Sequence, residues 1–437
     1  MPGTVADAVP GTRVVRRAVR SGDERGTGEE VPEVDRWQGE RARRAAPGAE
    51  RRGEATDVTG HPDVTGHSDV TGAKEPRDTY NFSAGPATLP RPVARRMREE
   101  FAAHAADGAS IVEISHKNPR FVDLLDTVVA DYRELTGLPE DHHLLFVHGG
   151  ARMQCAAVPL NLIGRSPTRT AAYVVTGLFA QQAQREGARY GTAAIVAHSE
   201  DTGFDRIPEV TARHCPPDAA FLHLTSNNTV YGTRWNDFPR DCPAPLVADA
   251  TSDILSRRLD HGRFGIVYAG FQKNLGPSSA ALVTVRDDLL GHALPQTPRL
   301  LDYSVYAASK SLDNTPNTFA LFVLSLVLEW VRDQGGLAAV ERTNLAKARL
   351  LYGELDRTAF YRPTAHPDHR SVTNIVFRLA DESLTGEFLA RAREEGFLGL
   401  AGHRLVGGVR ASVYNGMPEE GVRALAGFLR EFERVRG

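Results

Sequence analysis

The sequence predicts an α/β protein with a large domain built on a mainly parallel sheet and a smaller C-terminal α+β domain. Short β-rich runs alternate with helical patterns from Tyr80 onward, as in a chain that passes repeatedly between strand and helix. Several of these runs are apolar throughout, which is typical of strands that helices cover on both faces. The chain has 437 residues, 41% of them hydrophobic, and is therefore long enough to bury such a core.

Apolar runs predict the strands of the large domain, which we place at residues 79–335, with residues 79–95 a candidate to pack on the small domain. The runs are "HLLFVHGG" (143–150), "TAAYVVTG" (170–177), "AAFLHLTS" (219–226), "PLVADATS" (245–252), "FGIVYAGF" (264–271) and "AALVTVRD" (280–287). The segment "FALFVLSLVLEWV" (319–331) predicts a buried helix, because it contains Ser325 and Glu329 and is shorter than the ~20 residues of a membrane span.

The small domain is predicted at residues 336–437. Helical periodicity over residues 336–359 is followed by a strand at 371–379 and a helix around 384–395. A strand at 407–415 and an amphipathic helix from Pro418 complete it. This order of elements predicts an α+β arrangement.

Residues 1–78 contain no Leu, Ile or Phe and are rich in Gly, Pro and charged residues, which predicts a disordered, low-complexity extension. The repeat "DVTGHPDVTGHSDVTG" (57–72) reads as a linker within it. Arg16 and Arg17 are not followed by the apolar stretch of an export signal, so we expect a cytoplasmic protein. The extension is nearly balanced in charge, so neither a nucleic acid nor a membrane is expected as a partner.

The three cysteines, Cys155, Cys215 and Cys242, are far apart in the sequence and form no metal-binding spacing. This pattern argues against a zinc site, or any metal site, and against a disulfide framework. It favours small buried thiols in a reducing compartment.

Polar groups follow several predicted strands, where ligands bind in open α/β sheets. They include His148 to Gly150, Ser226 to Thr229, Asp249, and Gln272 with Lys273. A lysine at a strand end is usually a solvated turn residue, and an aspartate nearby would allow a buried ion pair. The same two side chains are also what pyridoxal phosphate chemistry requires: an amine that loses its proton readily, and a carboxylate that keeps the pyridine nitrogen protonated.

Two further motifs suit that cofactor. "HGGARMQCAAVPLNL" (148–162) takes a Gly-Gly turn from a strand into a helix, where backbone N–H groups bind phosphate. Phe179 in "VTGLFAQQA" offers an aromatic face for the ring. Each motif alone is weak, but together they favour a site for pyridoxal phosphate.

In order along the chain, the motifs resemble those of the phosphoserine aminotransferases. They are "NFSAGPATLP" (81–90), "VEISHKNPRF" (112–121), "HGGARMQCAAVPLNL", "TSNNTVYGT" (225–233), "VADATSDILSR" (247–257), "YAGFQKNLGP" (268–277), "NTPNTFA" (314–320) and "GHRLVGGVRASVYNGM" (402–417). The resemblance implies a pyridoxal-phosphate-dependent fold of type I, a homodimer with shared active sites, and amino transfer between glutamate and 3-phosphohydroxypyruvate in serine biosynthesis.

The resemblance also implies residue roles. Lys273 is expected as the Schiff-base lysine and proton shuttle, and Asp249 as the partner of the pyridine nitrogen. The other residues expected to hold the cofactor are Ala151, Arg152, Phe179, Thr229 and Gln272, with Asn314 and Thr315 reaching the cofactor of the neighbouring subunit. Cations expected to bind the anionic substrate are His116, Lys117, Arg152, His403, Arg404 and Arg410, the last on the α-carboxylate.

Departures from the family pattern leave a second function open. Lys117 stands where the family typically has arginine, Phe179 where it often has tryptophan, and Ala84 and Asn317 also differ. A related aminotransferase of a specialised pathway, acting on another anionic 2-oxo acid or a phosphonate analogue, is the alternative. Cysteine desulfurase chemistry would need a cysteine on a mobile loop, and a non-catalytic protein of this fold is disfavoured because Lys273, Asp249 and Arg410 are all present.

Overall fold

The computed structural model describes residues 79–102 and 108–437, so the predictions for residues 1–78 lie outside the described residues. In chain order the strands are β1 (Tyr80–Asn81), β2 (His142–His148), β3 (Thr170–Val175), β4 (Thr192–His198), β5 (Leu222–Thr225), β6 (Asn227–Asn228), β7 (Thr233–Arg234), β8 (Leu246–Asp249), β9 (Ile266–Gly270), β10 (Ala280–Arg286), β11 (Tyr361–Pro363), β12 (Asn374–Leu379), β13 (Phe397–Leu398) and β14 (Val409–Ser412). The α-helices are α1 (Arg91–Ala102), α2 (Pro119–Thr136), α3 (Gly150–Leu162), α4 (Leu178–Gly187), α5 (Tyr303–Ala308), α6 (Thr318–Asp333), α7 (Leu337–Asp356), α8 (Thr385–Glu394) and α9 (Glu419–Arg436).

A seven-stranded sheet in the order β2-β10-β9-β8-β5-β3-β4 is the largest sheet of the described residues. Strands β9, β8, β5, β3 and β4 run parallel, whereas β10 is antiparallel to both of its neighbours. The prediction of a mainly parallel sheet is confirmed. The sequence pattern does not predict β4, whose residues lie half-exposed at the edge of the sheet.

Helices cover both faces of this sheet because its strands are apolar on both sides. On one face, buried residues of α2 and α6 pack on alternate strand residues such as Phe146 and Leu224. On the other face, α3, α4 and α5 pack on Leu145 and Tyr173. The apolar segment predicted as a buried helix forms α6. Each fully buried leucine of this helix contributes about 1.5–3 kcal/mol of transfer free energy.

A three-stranded antiparallel sheet, β11-β12-β14, shares a third core with α7, α8 and α9. Phe82 is fully buried in this core, and β1 beside it pairs in parallel with β13. The N-terminal segment of the described chain is therefore held by C-terminal elements. The domain boundary between residues 335 and 336 stays a prediction.

Among the helices of residues 79–102 and 108–437, none is both long and apolar enough to span a membrane.

Candidate active site

A cavity of about 350 Å³ lies at the carboxyl ends of the central strands. Its walls come from the large sheet, from the helices after β2 and β3, and from the segment around β14. The lining residues are Ala84, Gly85, Ala151, Arg152, Cys155, Phe179, Gln182, Thr225, Asn227, Thr229, Asp249, Thr251, Ser252, Gln272, Lys273, His403 and Arg410. The predicted position of the site, beyond the strand ends, agrees with this cavity.

Lys273 follows β9, and the turn that carries it depends on Gly270. A Cβ atom on Gly270 would lie 2.6 Å from the Gln272 Oε1 atom and 3.2 Å from the Ala151 backbone nitrogen. Only glycine therefore lets the end of β9 lie this close to the first turn of α3. The close approach brings Gln272 near Ala151, and both residues line the cavity together with Lys273.

The Lys273 amine is desolvated. Burial lowers its pKa to about 8, while the Asp249 carboxylate raises the pKa and the Arg410 guanidinium lowers it further. Its Nζ atom lies 5.6 Å from the centroid of the Phe179 ring. A lysine with this pKa has an appreciable fraction of neutral amine near neutral pH, as a nucleophile or a proton acceptor requires.

Asp249 is the last residue of β8 and pairs with Thr225 of β5 and Tyr268 of β9. Burial raises the pKa of Asp249, and the hydrogen bonds from Thr251 and the charge of Lys273 oppose this shift. Its Oδ1 atom accepts a hydrogen bond of 3.0 Å from the Thr251 backbone N–H. Among the ion pairs of the described residues none joins Asp249 to Lys273, so the alternative of a buried ion pair is not what the structure shows.

The start of α3 forms an anion-binding corner of the cavity. Gly149 and Gly150 have φ values of 85° and 68°, a left-handed conformation that favours glycine. Ala151 and Arg152 of the first turn of α3 line the cavity, as does Gln272. Unpaired backbone N–H groups at a helix N-terminus and a side-chain amide together suit a phosphate group.

A second wall of the cavity, which comes from the segment around β14, is cationic. Arg410 lies on β14, and its Nη1 atom donates to the Thr229 carbonyl oxygen at 3.3 Å. Its Nε atom is buried without a hydrogen-bond partner. Burial, together with the charges of Arg410 and Arg404, lowers the pKa of His403. Arg410 is thus held in place at one nitrogen while its guanidinium lines the cavity, where it can bind an anionic ligand.

Three of the predicted substrate-binding cations do not line the cavity. Lys117 is exposed in the loop before α2, where its backbone N–H donates to the Ser115 hydroxyl at 3.2 Å. His116 lies beside it, and Arg404 is exposed in the segment before β14. Within one chain, the cavity therefore contains Arg152, His403 and Arg410 from the predicted set.

Asn314 and Thr315 also lie outside the cavity of their own chain. Both are exposed, and both contact His148, the last residue of β2. The His148 Nε2 atom lies 3.0 Å from the Thr315 carbonyl oxygen and 3.4 Å from the Asn314 Nδ2 atom. That Asn314 and Thr315 reach the cofactor of the neighbouring subunit stays a prediction.

Several cavity residues were not selected from the sequence. Thr225, Thr251 and Ser252 lie at the ends of β5 and β8, so their positions in "TSNNT" and "ADATS" were the available signal. The Thr225 Oγ1 atom is buried without a hydrogen-bond partner. A buried hydroxyl of this kind is rare in a native structure, and a ligand in the cavity would satisfy it.

A buried amide, Asn374, connects the cavity wall to the small sheet. Its Oδ1 atom accepts from the Asn227 amide at 2.9 Å, and its Nδ2 atom donates to the Ser412 and Tyr414 hydroxyls, both at 3.0 Å. The Tyr414 hydroxyl in turn donates to the Ala84 carbonyl oxygen at 2.9 Å. This network fixes β12 and β14 relative to the end of β5.

The three-layer fold and the lysine at the end of its strand β9 define the class: the chain has the fold of pyridoxal-phosphate-dependent enzymes of type I. The model of the aminotransferase class-V family matches residues 79–425. The chain belongs to that family.

Curated relatives and solved structures cover nearly the same part of the chain. The phosphoserine aminotransferase of Geobacillus kaustophilus is 44% identical over 356 residues, which are 81% of this chain and 98% of that protein. That of Ralstonia nicotianae is 44% identical over 361 residues, 82% of this chain and 96% of the relative. The structure of phosphoserine aminotransferase from Bacillus circulans subsp. alkalophilus has a TM-score of 0.80 and 41% identity, and the match covers 83% of this chain and 100% of that one.

Proposed function

We propose that the protein is a pyridoxal-phosphate-dependent transaminase. Its reaction converts O-phospho-L-serine and 2-oxoglutarate to 3-phosphohydroxypyruvate and L-glutamate, in serine biosynthesis. The observation that carries the proposal is the convergence of Lys273, Asp249 and Arg410 on one cavity. Relatives at 41–44% identity that are named phosphoserine aminotransferase support the same reaction.

The residues of the cavity fit the proposed cofactor. The first turn of α3 and Gln272 suit its phosphate, Asp249 its ring nitrogen, and Phe179 one face of its ring. The unpartnered Thr225 hydroxyl gives a further polar contact that the cavity leaves open. The cavity, at about 350 Å³, is within the range usual for small-molecule sites.

When bound, pyridoxal phosphate supplies an electron sink for the bonds at the substrate Cα atom. Asp249 would keep the pyridine nitrogen protonated, since a carboxylate next to that nitrogen stabilises its positive charge. The Lys273 amine would hold the cofactor and then accept and return the proton of Cα. Its lowered pKa makes both tasks feasible at neutral pH.

The cationic wall would select the substrate. Arg410 suits a contact with the α-carboxylate, because its side chain lines the cavity and its Nη1 atom is held by the Thr229 carbonyl oxygen. Arg152 and His403 remain for the phosphate or for the distal carboxylate of glutamate. A neutral substrate of the same size would leave these groups uncompensated.

Single-turnover spectra with four amino donors test the proposal. Phosphoserine, glutamate, serine and phosphonoalanine are each added to the cofactor-loaded protein, with Lys273→Ala as control. We expect phosphoserine and glutamate to convert the cofactor spectrum, serine to be slow, and the control to be inert. Conversion by glutamate and not by phosphoserine would replace the serine-pathway substrate with another anionic 2-oxo acid.

We also infer a cytoplasmic homodimer with shared sites, in which Asn314 and Thr315 serve the partner's cofactor. Both residues are exposed and lie outside the cavity of their own chain, which supports this reading. Mixing Lys273→Ala with Asn314→Ala subunits tests it. If Asn314 acts across the interface, each hybrid dimer has one intact site. Because half of the dimers in an equal mixture are hybrids, the mixture regains about a quarter of the wild-type activity. If it acts within its own chain, no activity returns.

A further inference from the structure

Cys215 and Cys242 are 27 residues apart in the sequence, but their Sγ atoms lie 2.7 Å apart. Both are free thiols. Cys215 precedes β5 and Cys242 precedes β8, and these two strands pair in parallel with Leu222 opposite Leu246. The strand pairing therefore places the two thiols side by side at the amino ends of the strands, away from the cavity at the carboxyl ends.

The two thiols differ in their access to solvent. Cys215 is 7% exposed and belongs to the main hydrophobic core. Cys242 is half-buried and lines a surface cavity of about 320 Å³. The charged side chains that line this cavity are all cationic: Arg165, Arg240, Arg263 and Arg286. A small oxidant can thus reach Cys242 from this cavity, whereas Cys215 does not line it.

We propose that Cys215 and Cys242 are a reversible oxidation site at which a peroxide converts the two thiols to a disulfide. The Cys242 thiolate attacks one peroxide oxygen, the O–O bond breaks, and the sulfenic acid forms with release of one water after protonation. The Cys215 sulfur then attacks the Cys242 sulfur, the S–O bond breaks, and the hydroxide leaves as a second water with the Cys215 proton. Two thiols and one hydrogen peroxide give one disulfide and two waters.

The difference in exposure sets this order of events, because a peroxide in the surface cavity meets the half-buried Cys242 before the buried Cys215. Contact with the Cys215 sulfur, together with the Ala244 backbone N–H, lowers the pKa of Cys242. The same contact and burial raise the pKa of Cys215. Cys155 provides the contrast, since burial and the nearby Asp249 raise its pKa to about 12. Cys242 is therefore the nucleophile, Cys215 the resolving thiol, and Cys155 unreactive.

The disulfide would close a loop of the chain between Cys215 and Cys242. This loop contains β5 and β6, which both contribute residues to the active-site cavity. A cross-link that closes such a loop restricts the unfolded chain and raises the thermal midpoint. Because the bond lies at the far ends of the strands, the cavity keeps its residues. We expect oxidation to stabilise the protein without changing its transaminase reaction.

Peptide mapping of the full-length holoenzyme tests the proposal. The protein is treated with hydrogen peroxide, denatured, alkylated and digested without reductant. We expect one cross-linked peptide pair that contains Cys215 and Cys242, lost on treatment with dithiothreitol, and an alkylated Cys155. Alkylation of Cys215 and Cys242 after peroxide, or conversion of Cys242 to a sulfinic acid with no cross-link, would overturn the proposal.

Two variants test the resolving role of Cys215 and the absence of a role for Cys155. In Cys215→Ser, Cys242 should form a sulfenic acid that dimedone traps, with no cross-link and no rise in thermal midpoint. In Cys155→Ser, the matched control, the cross-link and a rise of several degrees should persist and reverse with dithiothreitol. Loss of the cross-link in Cys155→Ser, or an equal peroxide-induced rise in Cys215→Ser, contradicts the assignment.

Discussion

Lys273 and Asp249 face one cavity from neighbouring strands without forming an ion pair with each other. The Asp249 Oδ1 atom accepts from the Thr251 backbone, and the Lys273 Nζ atom lies 5.6 Å from the centroid of the Phe179 ring. Each charge influences the pKa of the other across the cavity. Two desolvated groups held apart in this way can act on different parts of one ligand.

The reactivity of Lys273 should rise with pH to a plateau above about 8, its lowered pKa. Below that pH the amine is protonated and has no lone pair, so the rate of cofactor attachment to the apoprotein should fall about tenfold per pH unit. Stopped-flow absorbance measures this rate. A plateau reached only near the pKa of a free lysine would show that the amine is not desolvated.

Two variants should move that plateau in opposite directions. Arg410→Leu removes a cation that lowers the pKa of Lys273, so the plateau should move to higher pH. Asp249→Asn removes a carboxylate that raises it, so the plateau should move to lower pH. Shifts of the same sign in both variants are incompatible with the charges assigned here.

Asp249→Asn should also reduce turnover by roughly 10²–10⁴-fold, because the amide cannot hold the pyridine nitrogen in its protonated form. Steady-state kinetics with phosphoserine and 2-oxoglutarate measure the loss. Cofactor should still attach, since Lys273 is intact. A variant with near wild-type kcat would remove Asp249 from the mechanism.

Arg410→Leu should raise KM for both amino donors by about 10-fold or more, since a charged hydrogen bond to the carboxylate contributes about 1.5–3 kcal/mol. Arg410→Lys keeps the charge but loses the planar fork, and should recover part of the affinity. Initial rates at several donor concentrations separate KM from kcat. Equal KM values in the leucine variant and the wild type would place the substrate carboxylate elsewhere.

Asn374→Ala should lower the free energy of unfolding by about 1–3 kcal/mol, because it removes the hydrogen bonds that Asn374 makes with the buried Asn227, Ser412 and Tyr414 side chains. KM should rise as well, since β12 pairs with β14 at Val376 and Arg410. Urea unfolding and initial rates measure the two effects. The control is Asn236→Ala, at an exposed residue bonded to the Asp368 carbonyl, which should change stability by less than about 0.5 kcal/mol. Equal effects of the two substitutions would contradict the role of the buried network.

The parts of the fold that the sequence predicted are those with a strong local signal. The apolar segment of α6 and the apolar strands with polar ends, including Asp249 and Lys273, carry that signal in consecutive residues. The direction of β10 carries no such signal, because the residue pattern of a strand does not show which way the strand runs. The edge strand β4 also lacks a strong signal, because it is only half-buried.

Long-range proximity was beyond the sequence pattern. Cys215 and Cys242 show no spacing motif, and only the pairing of β5 with β8 brings them together. Thr225 and Thr251 enter the cavity for a similar reason, through the geometry of their strand ends. The positions of His116, Lys117 and Arg404 relative to the cavity likewise depend on loops whose course local patterns do not determine.

The central claim is that Lys273 is the lysine that holds the cofactor, and borohydride reduction followed by peptide mapping tests it most directly. The matched internal control is Lys347, which is also buried and has its pKa lowered by burial to about 7. Its Nζ atom donates to the carbonyl oxygens of Tyr414 and Met417 and does not line the cavity. We predict that the reduced cofactor is attached to the peptide that contains Lys273 and is absent from the peptide that contains Lys347. Attachment at Lys347, or no attachment to a protein that still transaminates, would contradict the account.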